Sequence, residues 1–240
     1  IVEGDKTWQN NFKNLNFNIN KFSKFKDKII YIPVEDLPDG DDPYKRENHQ
    51  RNAIIRGLTN ASKNDLIIIS DLDEIPNPDK IINFNPSKRF AVFKQMHFYY
   101  KFNLLNQLNP FWHGSRICLK KYLKSPQWLR ELKFKRRPFW RIDKLRLNNI
   151  ILEGGWHFCN LKKPEQLLHK YKNLCETNDP YHFKEKIDPK YLTVDSIKNF
   201  ISNSKDLIGR DHNYEKIEID EKLPKYLRDN IYKYKDWIIF

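Results

Sequence analysis

Residues 66–76, which read LIIISDLDEIP, join a short aliphatic run directly to a cluster of carboxylates. The run has the length and the composition of a buried strand. In an extended chain, residues two positions apart point to the same side, so Asp71 and Asp73 face one way and Leu72 faces the other. The stretch therefore predicts two converging carboxylates at the end of a buried strand.

Two converging carboxylates need a positive charge between them, because close anions repel each other. Hard oxygen ligands favour magnesium or manganese, and such ions keep positions for diphosphate oxygens and water. Asp71 and Asp73 therefore predict a divalent metal site for a nucleotide diphosphate, where the metal would stabilise charge on the leaving group. The alternative is that both residues only form a turn before Pro76 and Pro78.

The segments around this stretch predict a strand, helix, strand unit. Strands are expected at Ile1, at residues 28–34 and at residues 89–100, because these runs are rich in β-branched or aromatic residues. A helix is expected at residues 46–62, where apolar residues recur at spacings of three and four. Such units usually form parallel sheets with ligands at the carboxyl ends of the strands. We therefore predict an α/β fold with a mixed, mostly parallel sheet flanked by helices.

The C-terminal part of the chain predicts helices. One is expected at residues 164–175, where Pro164 suits a first helical turn, and another at residues 194–207. Residues 160–240 should accordingly form a mainly helical portion. We expect it to pack on the rest of a single domain that spans residues 1–240.

The composition indicates a globular protein with an anionic partner. Hydrophobic residues make up 39% of the 240 residues and aromatic residues 14%, which excludes a disordered chain. The net charge of +13 favours nucleic acid, an anionic membrane surface or a phosphorylated substrate. A basic and aromatic run at residues 133–141 makes a nucleic-acid-binding module the non-enzymatic alternative. That alternative leaves the DLDEIP motif unexplained, so we expect no nucleic acid partner.

The three cysteines indicate no metal cluster and no disulfide framework. Cys118, Cys159 and Cys175 are odd in number and form no CxxC pair. A reducing environment is the mild preference.

Several motifs together resemble one enzyme family. They are ENHQRNAIIRGL at residues 47–58, DLDEIPNP at 71–78, FWHG at 111–114, GWHF at 155–158 and LPKYL at 223–227. This set resembles glycosyltransferase family 17, the bisecting β-1,4-mannosyl-glycoprotein N-acetylglucosaminyltransferase family. The resemblance implies a GT-A type fold, a UDP-N-acetylglucosamine donor, a divalent metal and inversion at the anomeric carbon.

Two donor-binding candidates, besides Asp71 and Asp73, lie in the first part of the chain. The first strand of the family precedes a segment such as IVEGDKT at residues 1–7, so we expect it to be absent from residues 1–240. Glu3 in that segment and Arg51 in the helix are the donor-binding candidates, and Arg51 could bind the diphosphate with two donors or form a structural salt bridge.

The resemblance implies a glycan acceptor, which is an N-linked glycan in the vertebrate members of the family. The Lys, Asn and Ile bias suits an AT-rich microbial or viral genome and makes a surface polysaccharide or a lipid-linked glycan an equal alternative to a glycoprotein. In a microbial or viral protein we expect a cytoplasmic location or peripheral contact with an anionic membrane. With an upstream anchor, the Golgi lumen is expected instead.

Two aromatic loops supply further candidates. In the GGWHF stretch, Trp156 could stack on a sugar, and His157 could be a third metal ligand or bind the diphosphate; the alternative is a core tryptophan with a satisfied histidine. In NPFWHGSR, Trp112, His113 and Arg116 combine a flat ring with polar donors, as sugar sites often do. The alternative there is a turn anchored by a buried tryptophan.

An inverting transfer needs a base that takes the proton of the acceptor hydroxyl. Glu153 is the first candidate, followed by Glu74 and Asp211. The rival enzyme hypothesis is a haloacid-dehalogenase-type phosphatase, which also carries a DxD after an aliphatic strand. That hypothesis is opposed by Ile75, where the phosphatase motif has Thr or Val, and by the position of the DxD far from the start of the chain.

Overall fold

The computed structural model describes residues 1–133, 149–175, 177 and 187–240, so that most of the basic run at 133–141 lies outside the described residues. The described strands are Val2–Gly4 (β1), Ile32–Val34 (β2), Leu66–Ile69 (β3), Glu74–Pro76 (β4), Phe90–Tyr99 (β5), Leu104–Asn106 (β6), Phe111–Leu119 (β7), Ile150–Ile151 (β8), Gly155–Cys159 (β9) and Tyr214–Lys216 (β10). The described α-helices are Pro43–Asn52 (α1), Pro126–Glu131 (α2), Pro164–Asn173 (α3), Val194–Ser202 (α4) and Lys225–Asp229 (α5).

The first two strands form a small parallel sheet of their own. β1 and β2 pair from Val2 opposite Ile32 to Gly4 opposite Val34. The helix predicted at residues 46–62 begins earlier, because Asp42 caps the nitrogen of Tyr44. It ends at Asn52 and continues as the 3-10 turn Ala53–Gly57.

The main sheet is built around β5 and is mostly antiparallel. Its strand order is β10, β6, β5, β7, β3, while β8 and β9 pair with β5 and β4 pairs with β9. In the described part of the chain, only β8 and β9 run parallel to their neighbour β5 in this sheet. The mixed α/β class is confirmed, but the prediction of a mostly parallel sheet was wrong.

The reason for this error lies in the partner of β3. β3 pairs antiparallel with β7, from Leu66 opposite Leu119 to Ile69 opposite Arg116, whereas β2 pairs with β1 in the other sheet. The strand, helix, strand unit therefore does not place β2 and β3 side by side in one ladder. Local periodicity predicted the elements correctly, but it carries no information on which strand becomes the neighbour.

Strand register gathers polar side chains on one face of the main sheet. β5 and β9 run parallel with His97 opposite His157 and Tyr99 opposite Cys159. The alternate residues of the same strands point to the other face, where Phe98 and Phe158 stack at 5.2 Å in an apolar cluster. One face of the sheet is therefore core, and the other carries histidines and a cysteine.

The C-terminal portion packs on β5 and β6. Residues of α3 and α4 share an apolar cluster with residues at the end of β5, including Leu167, Ile197, Tyr99 and Tyr100. β10 joins the main sheet by pairing with β6, so this portion is helical with one added strand. Among the described helices, none has the length and apolar character needed to cross a membrane.

The contact between β4 and β9 requires glycine at position 155. Gly155 has a φ of +124°, and a Cβ at this position would collide with the carbonyl oxygen of Ile75 and lie 2.7 Å from the nitrogen of Asn77. The backbones of β4 and β9 thus approach each other closely at this position. This approach places His157 next to the turn after β3.

We expect Gly155→Ala to lower the free energy of unfolding by at least about 2 kcal/mol, because strain and a backbone collision add together. Urea unfolding followed by circular dichroism measures this loss. Gly40→Ala is the matched control, since Gly40 also has a positive φ, at +101°, but has no atom within 4 Å of an added Cβ. Equal losses in the two variants would contradict the role of the close approach.

Candidate active site

The residues that follow β3 form a tight turn. The backbone nitrogen of Glu74 donates to the carbonyl oxygen of Asp71 at 3.1 Å, and the backbone nitrogen of Asp71 donates to Oε2 of Glu74 at 3.2 Å. These two bonds close the turn. The carboxylates of Asp71, Asp73 and Glu74 consequently have different partners, although they are close neighbours in the sequence.

Asp71 is held by two arginines. Arg51 on α1 approaches its Oδ1 at 3.2 Å, and Arg130 on α2 approaches its Oδ2 at 2.8 Å. Arg51 also pairs with Glu47 at 2.8 Å. The charge of Asp71 is thus balanced by guanidinium groups of the protein. Arg51 was predicted as a diphosphate ligand, whereas no local pattern marks Arg130, which lies 59 positions from Asp71 along the chain.

Glu74 is a fully buried carboxylate with both oxygens occupied. Arg130 donates to Oε2 at 2.8 Å and to Oε1 at 2.9 Å. Trp112 Nε1 donates to Oε1 at 2.8 Å, and Ser115 Oγ donates to Oε2 at 3.3 Å. A general base needs an oxygen within reach of the substrate hydroxyl. Glu74, one of the residues predicted as a base, therefore anchors the turn through four hydrogen bonds.

Asp73 remains open to a ligand. Its side chain is 36% exposed, and its Oδ1 lies 3.4 Å from Nε2 of His157. Burial alone would raise the pKa of Asp73, but the hydrogen bond and the charge of His157 lower it. The predicted metal set of Asp71, Asp73 and His157 is thus assembled in part, because Asp73 and His157 are in contact while Asp71 is bound by arginines.

His157 lies at the centre of the sheet face that carries the histidines and Cys159. Its Nε2 is 3.2 Å from Sγ of Cys159, and its ring is stacked on His97 at 4.8 Å and tilted against Trp112 at 5.1 Å. Burial by itself lowers the pKa of His157, but Asp73 and Cys159 raise it to about 10. His157 is accordingly a cation at neutral pH in this arrangement.

His97 is neutral by contrast. Its Nδ1 lies 3.1 Å from the carbonyl oxygen of Asn109, and since a carbonyl only accepts, Nδ1 carries the hydrogen and donates. Burial and the charge of His157 lower the pKa of His97 to about 3. The sequence analysis missed both His97 and Cys159, because only the register of β5 with β9 brings them next to His157.

A cavity of about 510 Å³ opens beside this cluster. Its lining is mostly aromatic with one arginine, and consists of His97, Tyr99, Asn109, Phe111, Trp112, His113, Arg210 and His212. Arg210 is held in place by the buried carboxylate of Asp206, with Nε donating to Oδ1 at 3.0 Å. Flat rings beside fixed donors suit a sugar that carries or adjoins a negative charge.

Trp112 and His113, two of the predicted sugar contacts, line this cavity, whereas the other two do not. Arg116 is buried and donates to the carbonyl oxygen of His113 at 2.7 Å, so that it supports the strand. Trp156 packs with the apolar cluster on the opposite face, and its Nε1 donates to the carbonyl oxygen of Lys222 at 2.6 Å. The packing of Trp156 is that of the core tryptophan given as its alternative.

The remaining candidates lie apart from the turn after β3. Glu153 is 76% exposed and pairs with Lys80. Asp211 is exposed and precedes His212 of the cavity lining. Glu3 accepts hydrogen bonds from the backbone nitrogens of two residues at 2.8 and 3.0 Å and from a tyrosine hydroxyl at 3.0 Å. These bonds connect Glu3 to the N-terminal loop. Burial alone would raise the pKa of Glu3, but the hydrogen bonds lower it to about 2.

Glu74→Ala should reduce the free energy of unfolding by about 3–5 kcal/mol, because the variant leaves the buried Arg130 without its main partner. Chemical denaturation at pH 7 measures the reduction. Glu153→Ala is the control, since it removes a carboxylate from an exposed ion pair and should change stability little. A loss below about 1 kcal/mol in Glu74→Ala would show that Glu74 does not anchor the turn.

The match to a known protein family agrees with this site. The family model for glycosyltransferase family 17 matches residues 1–237. No curated protein and no solved structure matches the chain. The family match supports the transferase hypothesis and neither the phosphatase nor the nucleic-acid-binding alternative. Because the match covers nearly the whole chain, the protein belongs to glycosyltransferase family 17 and is a glycosyltransferase.

Proposed function

We propose that the protein is a metal-dependent, inverting glycosyltransferase that moves N-acetylglucosamine from UDP-N-acetylglucosamine to a glycan acceptor. The observation that carries this proposal is the partly exposed carboxylate of Asp73, which lies in the turn after β3 beside His157 and two residues from Asp71, the carboxylate that the arginines bind. The family supports the reaction class. The site supports the donor class, because two guanidinium groups and one open carboxylate suit a metal-bound diphosphate.

The residues fit a divalent ion at Asp73. Its Oδ1 faces His157, and among the described residues no ion-pair partner approaches its Oδ2. Asp73 would therefore hold the ion directly. Asp71 would lie beside the ion without binding it directly, since Arg51 and Arg130 already compensate the charge of Asp71. A bound divalent ion supplies electrostatic stabilisation of the leaving diphosphate.

The arginines and the imidazolium prepare the site for an anion. Arg51 and Arg130 lie on two different helices and meet at Asp71, so their positions are set by the fold and not by the ligand. A diphosphate that approaches Asp71 meets both guanidinium groups. Such preorganised donors stabilise developing negative charge without reorganisation during the reaction. His157 keeps Asp73 ionised and oriented.

The cavity beside His97 is the proposed sugar and acceptor site. Trp112 offers a ring for stacking on a sugar, and His113 lines the same cavity. Asp211 is the proposed base, because it is exposed and adjoins His212 of the lining, while Glu74 is buried and Glu153 pairs with Lys80. The net charge of +13 favours an acidic or lipid-linked acceptor presented at an anionic membrane surface.

Calorimetric titration with UDP and UDP-N-acetylglucosamine tests the donor site. We expect manganese-dependent binding in the wild type, and at least about a 100-fold weaker affinity in Asp73→Ala, since even outer partners of a metal site contribute about 10–100-fold. A chelator should have the same effect as the substitution. Asp79→Ala removes an exposed carboxylate nearby in the sequence and should bind normally. Equal binding by Asp73→Ala and the wild type would exclude Asp73 as the ligand.

Steady-state transfer kinetics test the base. Asp211→Asn should lower kcat by about 100-fold or more while the affinity for the donor stays unchanged, because proton removal contributes about that much to the rate. Glu153→Gln is the matched control and should keep the wild-type kcat. The reverse pattern would identify Glu153 as the base and reject Asp211.

A further inference from the structure

A second group of metal-ligating side chains lies beside the proposed donor site. His97, His157 and Cys159 each offer one ligand atom, and within the described residues these atoms all lie within 4.8 Å of one another. No CxxC pair marks the group in the sequence. It arises because β5 and β9 pair in parallel with His97 opposite His157, and because residues two apart on β9 share a face.

His97 presents a free ligand atom to this group. Its side chain is only 4% exposed, and its buried Nε2 has no hydrogen-bond partner. Its Nδ1 donates to the carbonyl oxygen of Asn109 at 3.1 Å, so that the lone pair is on Nε2. A backbone carbonyl that fixes the tautomer in this way is the usual outer partner of a metal-binding histidine. A buried nitrogen without a partner needs such an explanation.

The other two ligand atoms are already at a suitable separation. Cys159 Sγ lies 3.2 Å from His157 Nε2, and a tetrahedral zinc ion places a sulfur and a nitrogen ligand about 3.5 Å apart. Cys159 is a free cysteine and only partly buried, so an ion can reach it. Sulfur and imidazole ligands select zinc-class ions, whereas magnesium and manganese prefer carboxylates.

We propose that His97, His157 and Cys159 form a binding site for a zinc-class divalent cation. Asp73 Oδ1, which lies 3.4 Å from His157 Nε2, adjoins the fourth position, where it or a water molecule completes the coordination. The site goes beyond the proposed transfer reaction and differs from the oxygen site at Asp73 in ligands and in metal preference. The bound ion links β5 to β9.

Two structural conditions accompany binding. The rings of His97 and His157 are stacked with an angle of 5° between them, so each ring must tilt for both nitrogens to point at one ion. The ion also takes the place of the proton that His157 holds between Asp73 and Cys159. The site therefore already places a carboxylate oxygen and a sulfur beside the point where the cation would lie.

Titration of the metal-free protein with cobalt(II), a spectroscopic substitute for zinc, tests the site directly. We expect one tightly bound ion with a near-ultraviolet charge-transfer band from a thiolate to cobalt, and displacement of that band by zinc. Cys159→Ser should abolish the band, and His97→Gln should weaken zinc binding by at least about 100-fold. Cys118→Ala removes a cysteine buried in an apolar cluster and should keep the band. Circular dichroism verifies that each variant is folded.

Absence of the thiolate band in the wild type would overturn the proposal, as would a band that persists in Cys159→Ser. A separate arm uses Asp73→Ala with manganese and UDP. Loss of donor binding together with a retained cobalt band supports two distinct sites. If the wild type binds cobalt through the thiolate but binds no UDP with manganese, the proposed donor site fails while the zinc-class site stands.

Discussion

The site depends on the ion pair and the hydrogen bonds of one buried carboxylate, that of Glu74. Glu74 accepts hydrogen bonds from Arg130 on α2 and from Trp112 and Ser115 on β7, while β4, to which it belongs, pairs with β9 at His157. A buried charge is stable only when it is paired and hydrogen-bonded. Because the partners of Glu74 come from separate elements, satisfying this one carboxylate brings those elements together around the end of β3.

In this arrangement, three acidic residues that are close together in the sequence have different partners. Glu74 is enclosed, Asp71 shares Arg130 with it and also binds Arg51, and Asp73 keeps contact with solvent. Arginine suits the shared position because its planar group can serve two carboxylates at once. The result is a turn in which Asp71 and Glu74 pair with arginine, whereas Asp73 pairs with His157.

The face of the sheet next to Asp73 carries side chains with nitrogen and sulfur donors, in contrast to the carboxylates of the turn. Oxygen ligands stand at the turn, and nitrogen and sulfur ligands stand on β5 and β9, with His157 in contact with both sets. The stacked rings of His97 and His157 have pKa values shifted in different directions, because only His157 has a carboxylate partner. Oxygen donors that favour hard ions and nitrogen and sulfur donors that favour zinc-class ions thus lie side by side, with Asp73 next to both.

The sequence alone determined the strand at residues 66–69, the carboxylates that follow it and the family, because each depends on residues that are close together in the chain. Helices beginning at Pro164 and Val194 were also predictable from local signals. Only the tertiary structure decided the antiparallel pairing of β3 with β7. It also decided that Arg130 meets Asp71, and that His97 and Cys159 meet His157. These contacts follow from strand register and helix packing between distant segments, which local periodicity does not encode.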